Sequence, residues 1–333
     1  MFKILKTHKA VSKLIVCNEI FVYQKTSGDI IFNDLIVENF IQQIEITIFN
    51  NRIYINDWEG NYFVYDQEKN LVEKGINQAF FNVNDSYIGR QYLKNDNIYE
   101  SLIDKNNEFL LNIKFEKFNN ENTILKSDYF LLNQNKDIIC FDIINPKEKW
   151  SFSISKIVDS EVYKILGIFN NNLLLSLTNS TILKINIETG ELNEHFSLKL
   201  FSNTESELIA QYNFIQLEDD KLIYYRFGQY AEYDLSLDKV TYEFDIKEKL
   251  QKENLHDNIF SFIKEDNLLY FYISGFGSFS LPTVAILDIK TQEIIWKNVL
   301  NNPNVFYKDF QKNSSNLYLL DSENVLHIFE KTT

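Results

Sequence analysis

What this chain lacks excludes several classes of protein. Two cysteines, Cys17 and Cys140, cannot build a disulfide framework, and both stand in apolar runs where a buried free thiol is expected. Glycine (9) and proline (3) are scarce, and charged residues are 24% of the chain. That composition excludes a low-complexity or wholly disordered polymer. Arginine is nearly missing: Arg52, Arg90 and Arg226 stand alone among 33 basic residues. With the abundant Asn and Ile, this reads as an AT-rich coding bias rather than a binding signal. No stretch approaches the roughly 18 apolar residues that a membrane span needs. Leu14-Ile15-Val16-Cys17, after the basic start Met1-Phe2-Lys3-Ile4-Leu5-Lys6, faintly matches a lipoprotein cleavage site. The match fails because the residues before Cys17 are branched rather than small, and Lys9 and Lys13 interrupt the apolar region. No membrane association and a cytoplasmic location are therefore expected.

Catalytic signatures are missing too. The four histidines (His8, His195, His256 and His327) are never within four residues of one another, so no local zinc motif exists. His195 and His327 fall in strand-like runs and are read as structural, while His256 lies in an expected loop beside Asp257. No nucleophile elbow, phosphate-cradling loop or repeated calcium loop occurs. Glu218-Asp219-Asp220 and Glu265-Asp266 read as solvated hairpin turns. No catalytic residue, metal ligand or cofactor is expected.

What is present is a repeat. A short apolar strand, an Asn/Asp turn, a second strand, another turn and a third strand ending in an acidic or Asn residue recur along the chain. The third strands end at Asp34, Asp66, Asp104, Asp142, Asn186, Asp234, Asp288 and Glu330. Their spacing, 32 to 54 residues, brackets the about 40 to 50 residues of a four-stranded blade. Turn chemistry separates the runs, as in Ser27-Gly28-Asp29, Glu59-Gly60-Asn61 and Asn170-Asn171-Asn172. Aromatics reach 15%, which suits strands and large sheet interfaces. Helical periodicity is confined to residues 246–254.

These markers predict an all-β fold: a single closed β-propeller domain over residues 1–333, with eight four-stranded blades and seven as the alternative. The last copy supplies three strands before the sequence stops, and residues 2–6 form an orphan strand ahead of the first copy. Pairing that orphan with residues 325–330 would complete the last blade and remove the open edge of the ring.

Two segments carry a family resemblance. Leu183-Lys184-Ile185-Asn186-Ile187-Glu188-Thr189-Gly190-Glu191-Leu192 and Ala285-Ile286-Leu287-Asp288-Ile289-Lys290-Thr291-Gln292-Glu293-Ile294-Ile295-Trp296 resemble the blade ending of the quinoprotein-type (PQQ-like) propellers, and the repeat as a whole resembles WD-type propellers. Trp150 stands at the place equivalent to Trp296 and is expected to pack between blades. Quinone-dependent members of that superfamily use a vicinal cysteine pair and a calcium-binding cluster. Here the cysteines are far apart and no such cluster is recognisable, so redox chemistry does not follow from the resemblance.

The formal net charge of −14 disfavours nucleic acid as a partner and favours a basic protein. Strand alternation places the connections between blades at the same end as the loops between second and third strands. Four such segments are expanded: residues 155–162, 199–211, 247–258 and 274–282. In the last, Phe276 and Phe279 stand among glycines without strand register, and they are candidate aromatic anchors. Glu205, Glu207, Glu253 and Asp257 are candidates for an acidic rim around them, partly offset by Lys247, Lys249 and Lys252. The expected function is non-catalytic protein binding, in a concrete version an intracellular immunity or inhibitor protein that caps a basic toxin. The alternatives are an assembly scaffold and a propeller enzyme acting on carbohydrate through channel carboxylates.

Overall fold

The structure is a computed structural model. It describes residues 2–331 except 18–19, 33–34, 40–43, 58, 83–86, 95–96, 107–108, 116–122, 127–128, 135, 143–146, 202–207, 254, 256–258, 274–280 and 303.

Strands dominate. Among the described residues there are eight four-stranded antiparallel sheets and one two-stranded sheet. Seven of the four-stranded sheets use consecutive strands, covering residues 11–39, 44–75, 78–115, 123–153, 162–197, 215–245 and 259–299. The eighth combines the strands Tyr307–Lys312, Asn316–Asp321 and Leu326–Lys331 with the first strand of the chain, Phe2–His8. That strand pairs antiparallel with Leu326–Lys331, from Phe2 opposite Lys331 to His8 opposite Leu326. The orphan strand therefore lies where the repeat places it.

Each described marker stands at or beside the end of a third strand, Asp34 lying outside the described residues, and the structure shows why five of them are Asp or Asn. The carboxylate of Asp66 accepts the backbone N–H of Asn70 at 2.8 Å, and that of Asp104 accepts Asn106 at 2.8 Å. Asn186 accepts Glu188 at 2.8 Å, Asp234 accepts Ser236 at 2.8 Å, and Asp288 accepts Thr291 at 2.9 Å. A short side-chain acceptor satisfies the turn's first orphan donors before the fourth strand begins.

The scarcity of glycine has a matching device. Most described non-glycine left-handed backbone positions are filled by Asn and Asp, among them Asn50, Asn51, Asn77, Asn170, Asn171, Asp219, Asp266 and Asn324. Asn50-Asn51 and Asn170-Asn171, both pairs at positive φ, join adjacent strands in the two-residue hairpins that match strand twist.

By density of internal contacts the chain divides into two compact units. The first is Met1–Gln43, Tyr225–Gln229 and Phe244–Thr333, and the second is Ile44–Tyr224 and Tyr230–Glu243. Within the first, Tyr270, Tyr272 and Ile286 of the seventh sheet pack on Phe2, Tyr307 and Phe329 of the eighth. The opposite side of the eighth sheet, at Tyr318, Leu320 and Ile328, packs on Val11, Leu14, Tyr23 and Ile31 of the first sheet. Gln311 adds a polar stitch: its amide donates to the Leu14 carbonyl at 3.0 Å and accepts from the Val16 N–H at 2.6 Å.

Within the second unit the same logic repeats. Tyr54, Tyr62 and Val64 pack on Phe80, Ile88 and Ile103, while Leu131 and Cys140 pack on Leu173, Leu183 and Ile185. Leu174 and Ile182 pack on Phe214, Leu222 and Tyr224. Middle strands of this unit, such as Arg52–Asp57 and Asn172–Leu177, are buried at successive residues, so both of their faces are covered.

Candidate functional site

Of the six residues expected at a partner face, five (Phe276, Phe279, Glu205, Glu207 and Asp257) lie outside the described residues, as does His256. Glu253 is described. It follows Lys247–Lys252, the one α-helix among the described residues, which falls inside the expected helical segment.

The helix is positioned from below by close backbone approach. Ile246 donates its N–H to the Gly228 carbonyl at 3.0 Å, and Leu250 inserts beneath the helix. Gly228 has φ +81°, and a Cβ there would stand 2.9 Å from Leu250 Cδ1 and 3.0 Å from the Lys247 nitrogen. Only glycine fits this place. Asp245 accepts the Lys247 N–H at 2.8 Å with one oxygen and the Gln229 amide at 3.0 Å with the other.

Charges then fix the helix to the outer strand of the seventh sheet. Lys249 pairs with Glu293 and donates to the Gln292 carbonyl at 2.9 Å, and Lys297 pairs with Glu253 at 2.9 Å. An open groove of about 670 Å³ runs along Asp245, Ile246, Lys247, Glu248, Lys249 and Lys252. Glu253 therefore faces a lysine, and the groove beside it carries both signs of charge.

A second groove, of about 710 Å³, lies in the other unit between the outer strands Leu192–Ser197 and Lys239–Asp245. Its floor holds two stacked rings, Phe196 and Tyr233, with centroids 5.7 Å apart. Lys184 Nζ stands 4.9 Å over the Phe196 ring, 2.7 Å from Glu194 and 3.9 Å from Asp238. Tyr233 donates to Asp238, and burial together with that carboxylate raises its phenol above the ordinary value of 10.0. Glu243 accepts the Phe201 N–H at 2.8 Å, which ties the start of the 199–211 connection to the groove wall.

The sequence did not reveal this groove. Phe196 stands on the fourth strand of one sheet and Tyr233 on the third strand of the next, so their stacking does not follow from the repeat. The groove suits recognition by stacking and charge, and among the described residues no His or Cys lines it.

The other residues singled out earlier have structural partners. His327 pairs with Asp321 at 2.8 Å, His8 meets the Tyr23 hydroxyl at 3.0 Å, and His195 sits opposite Leu183 within its sheet. Trp150 is buried against the next sheet, its indole donating to the Ile187 carbonyl at 2.7 Å. Cys140 is fully buried, and burial pushes its thiol up to about 12. Among the described residues no group of three or more His, Cys, Asp or Glu side chains converges as for a metal ion. No helix among them is long and apolar enough to cross a membrane.

No protein-family model and no curated protein matches the chain by sequence. Solved structures do match in fold. The C-terminal WD40 domain of Sif2 superposes with a TM-score of 0.67 at 11% identity, covering 100% of this chain and 99% of that one. Sqt1 of Saccharomyces cerevisiae gives 0.65 at 10% identity over 99% of each chain. BamB of Moraxella catarrhalis gives 0.61 at 10% identity over 100% and 98%. These likenesses bear on fold and not on activity. The chain is a β-propeller repeat protein, similar in fold to WD40 and BamB propellers.

Proposed function

We propose that the chain is a non-catalytic, protein-binding β-propeller: one domain, its eight sheets forming eight blades, with the strand Phe2–His8 completing the last. Its loops would present Phe276 and Phe279, with Glu253 and Asp257 on the 247–258 connection and Glu205 and Glu207 on the 199–211 connection, to a basic protein. The concrete version is an intracellular immunity or inhibitor protein that caps a toxin.

The observation that carries this reading is where the repeat's extra length goes. Between the compact sheets the chain adds ordered excursions: the 3-10 turn Ile154–Lys156, the paired strands Lys199–Leu200 and Leu208–Ile209, and the helix Lys247–Lys252. Connections built out on a rigid scaffold are where binding residues concentrate. A net charge of −14 supports a basic partner, chiefly by speeding encounter and rejecting acidic competitors.

The test is affinity capture from native lysate with the wild-type chain and with the Phe276→Ala/Phe279→Ala double variant. A stoichiometric basic protein, retained by the first and lost by the second, is expected. A partner held equally by both would discard the loop as the contact.

A further inference from the structure

The strand Phe2–His8 is an edge with unusual exposure. It ends the eighth sheet, and every residue from Lys3 to Thr7 is exposed, on both faces of the strand. The outer strands Leu192–Ser197 and Glu293–Val299 instead alternate, covering every second residue. Ile4 is 55% and Leu5 53% exposed, adjacent in the chain, because a bulge between Ile4 and Lys6 interrupts the alternation. The outer strand Leu71–Gly75 is similarly bare, but there Glu73 and Lys74 balance one another.

The charge of this edge is opposite to that of the chain. The strand carries Lys3 and Lys6 and no acidic residue, and Lys9 follows it in the bend, within a chain of net charge −14. On the neighbouring strand Lys331 lies opposite Phe2. The acid of that strand, Glu330, approaches Lys3 at 3.5 Å with both side chains largely in solvent, a pairing that water and salt weaken.

We propose that this strand is an addition site for an extended acidic segment of a partner protein, with alternating acidic and aliphatic side chains. An outermost strand offers main-chain donors and acceptors to an incoming strand, and pockets or charges at alternate positions then select its sequence. Here Ile4 and Leu5 supply the aliphatic contact, and the lysines supply the choice of partner. The same lysines act against unwanted pairing. Two copies joined edge to edge would set lysine against lysine, which is destabilising. The site uses other residues than the preceding proposal and has the opposite preference in charge.

The probe is a short fluorescein-labelled peptide of alternating Glu and Val, followed by fluorescence anisotropy at low salt. Two further peptides accompany it, one with Lys in place of Glu and one with alternate backbone nitrogens methylated. The Glu/Val peptide should bind, while both the Lys and the methylated peptides should bind at least about tenfold more weakly. The Lys6→Glu/Lys9→Glu variant, with an unchanged melting temperature, should lose binding by about tenfold as well. The Phe276→Ala/Phe279→Ala variant should bind the peptide as the wild type does, which separates this site from the loops.

Equal binding of the Glu and Lys peptides would overturn the proposal, as would equal binding of the methylated peptide, since charge alone would then suffice. Cosedimentation with phosphatidylserine vesicles without peptide binding would also overturn it and assign the edge to an anionic membrane. The peptide comparisons need no variant, so they decide the matter even if the lysine substitutions disturb folding.

Discussion

The indole N–H of Trp296 donates to the main-chain carbonyl of Phe2 at 2.8 Å, joining the outer strand of the seventh sheet to the strand that completes the eighth. The Trp296 ring also packs at 5.7 Å from the Phe2 ring and 5.5 Å from that of Phe329. Sequence neighbours would not bring these groups together, since 294 positions separate them. Replacing Trp296 by Phe keeps an aromatic ring but removes the donor. The expected loss is about 1 kcal/mol, the net worth of a hydrogen bond, whereas Trp296→Ala should cost roughly 3 kcal/mol or more. Denaturant midpoints at constant m-value measure both. Equal losses would mean that the hydrogen bond contributes nothing.

Gly190 and Trp150 form the counterpart in the other unit. Gly190 has φ +74°, and a Cβ there would stand 2.7 Å from the Trp150 ring. Gly190→Ala is therefore disfavoured by backbone and by packing at once, and a destabilisation of about 2 kcal/mol is expected. The tryptophan fluorescence of the folded variant should shift as the ring is displaced. A variant as stable as the wild type would show that the turn relaxes freely.

Tyr225 makes the opposite prediction. It is completely buried between Phe262 and Phe271, and its hydroxyl has no hydrogen-bond partner among the described residues. Burial of that unpaired group raises its phenol pKa well above 10.0. Tyr225→Phe removes a desolvated hydroxyl while keeping the ring, so stability should be unchanged or should rise by up to about 1 kcal/mol. A clear loss of stability in a thermal melt would reveal a partner for the hydroxyl.

Cys140 should be chemically silent in the folded protein. A buried thiol pushed up to about 12 supplies almost no thiolate at neutral pH. In a Cys17→Ser background, a disulfide-exchange reagent should react with Cys140 only at the rate of unfolding. Fast modification in native buffer would contradict the burial.

Asp309 gives a pH dependence of defined sign. Burial raises its carboxyl above the ordinary 3.8, and hydrogen bonds from the Gln311 amide and the Phe310 N–H only partly oppose the rise. The folded state thus holds the proton to higher pH than the unfolded state does, so this residue's contribution to stability falls as pH rises from 3.8 through the folded value. Relative to Asp309→Asn, the wild type should lose stability as pH rises past 3.8 through the raised folded value and hold a constant difference above it. Paired denaturant titrations across that range measure the difference. A gap that widens in the other direction would mean the carboxylate is stabilised by a cation instead.

Much of the architecture was legible in the sequence because the repeat has a local cause. An Asp or Asn at the end of a third strand accepts the next turn's N–H groups within two to four residues, so its position is set by nearby chemistry and survives divergence of the strands. Asp66, Asp104, Asn186, Asp234 and Asp288 are of this kind. The helix at Lys247–Lys252 and the pairing partner of Phe2–His8 were likewise readable, the first from local periodicity and the second from a strand count one short in the last repeat. The stacked pair Phe196 and Tyr233 was not readable, nor was the capture of Glu253 by Lys297, because each depends on which side chains of separate repeats come face to face.

By itself the sequence determined the all-β class, the repeat length, the turn chemistry and the place of the first strand, since all of these follow from alternation and from hydrogen bonds close along the chain. Only the tertiary structure decided which charges are paired, which rings stack, and which edge remains bare. Those depend on distances between residues far apart in the chain, and strand alternation assigns a residue to a face without saying what lies across from it.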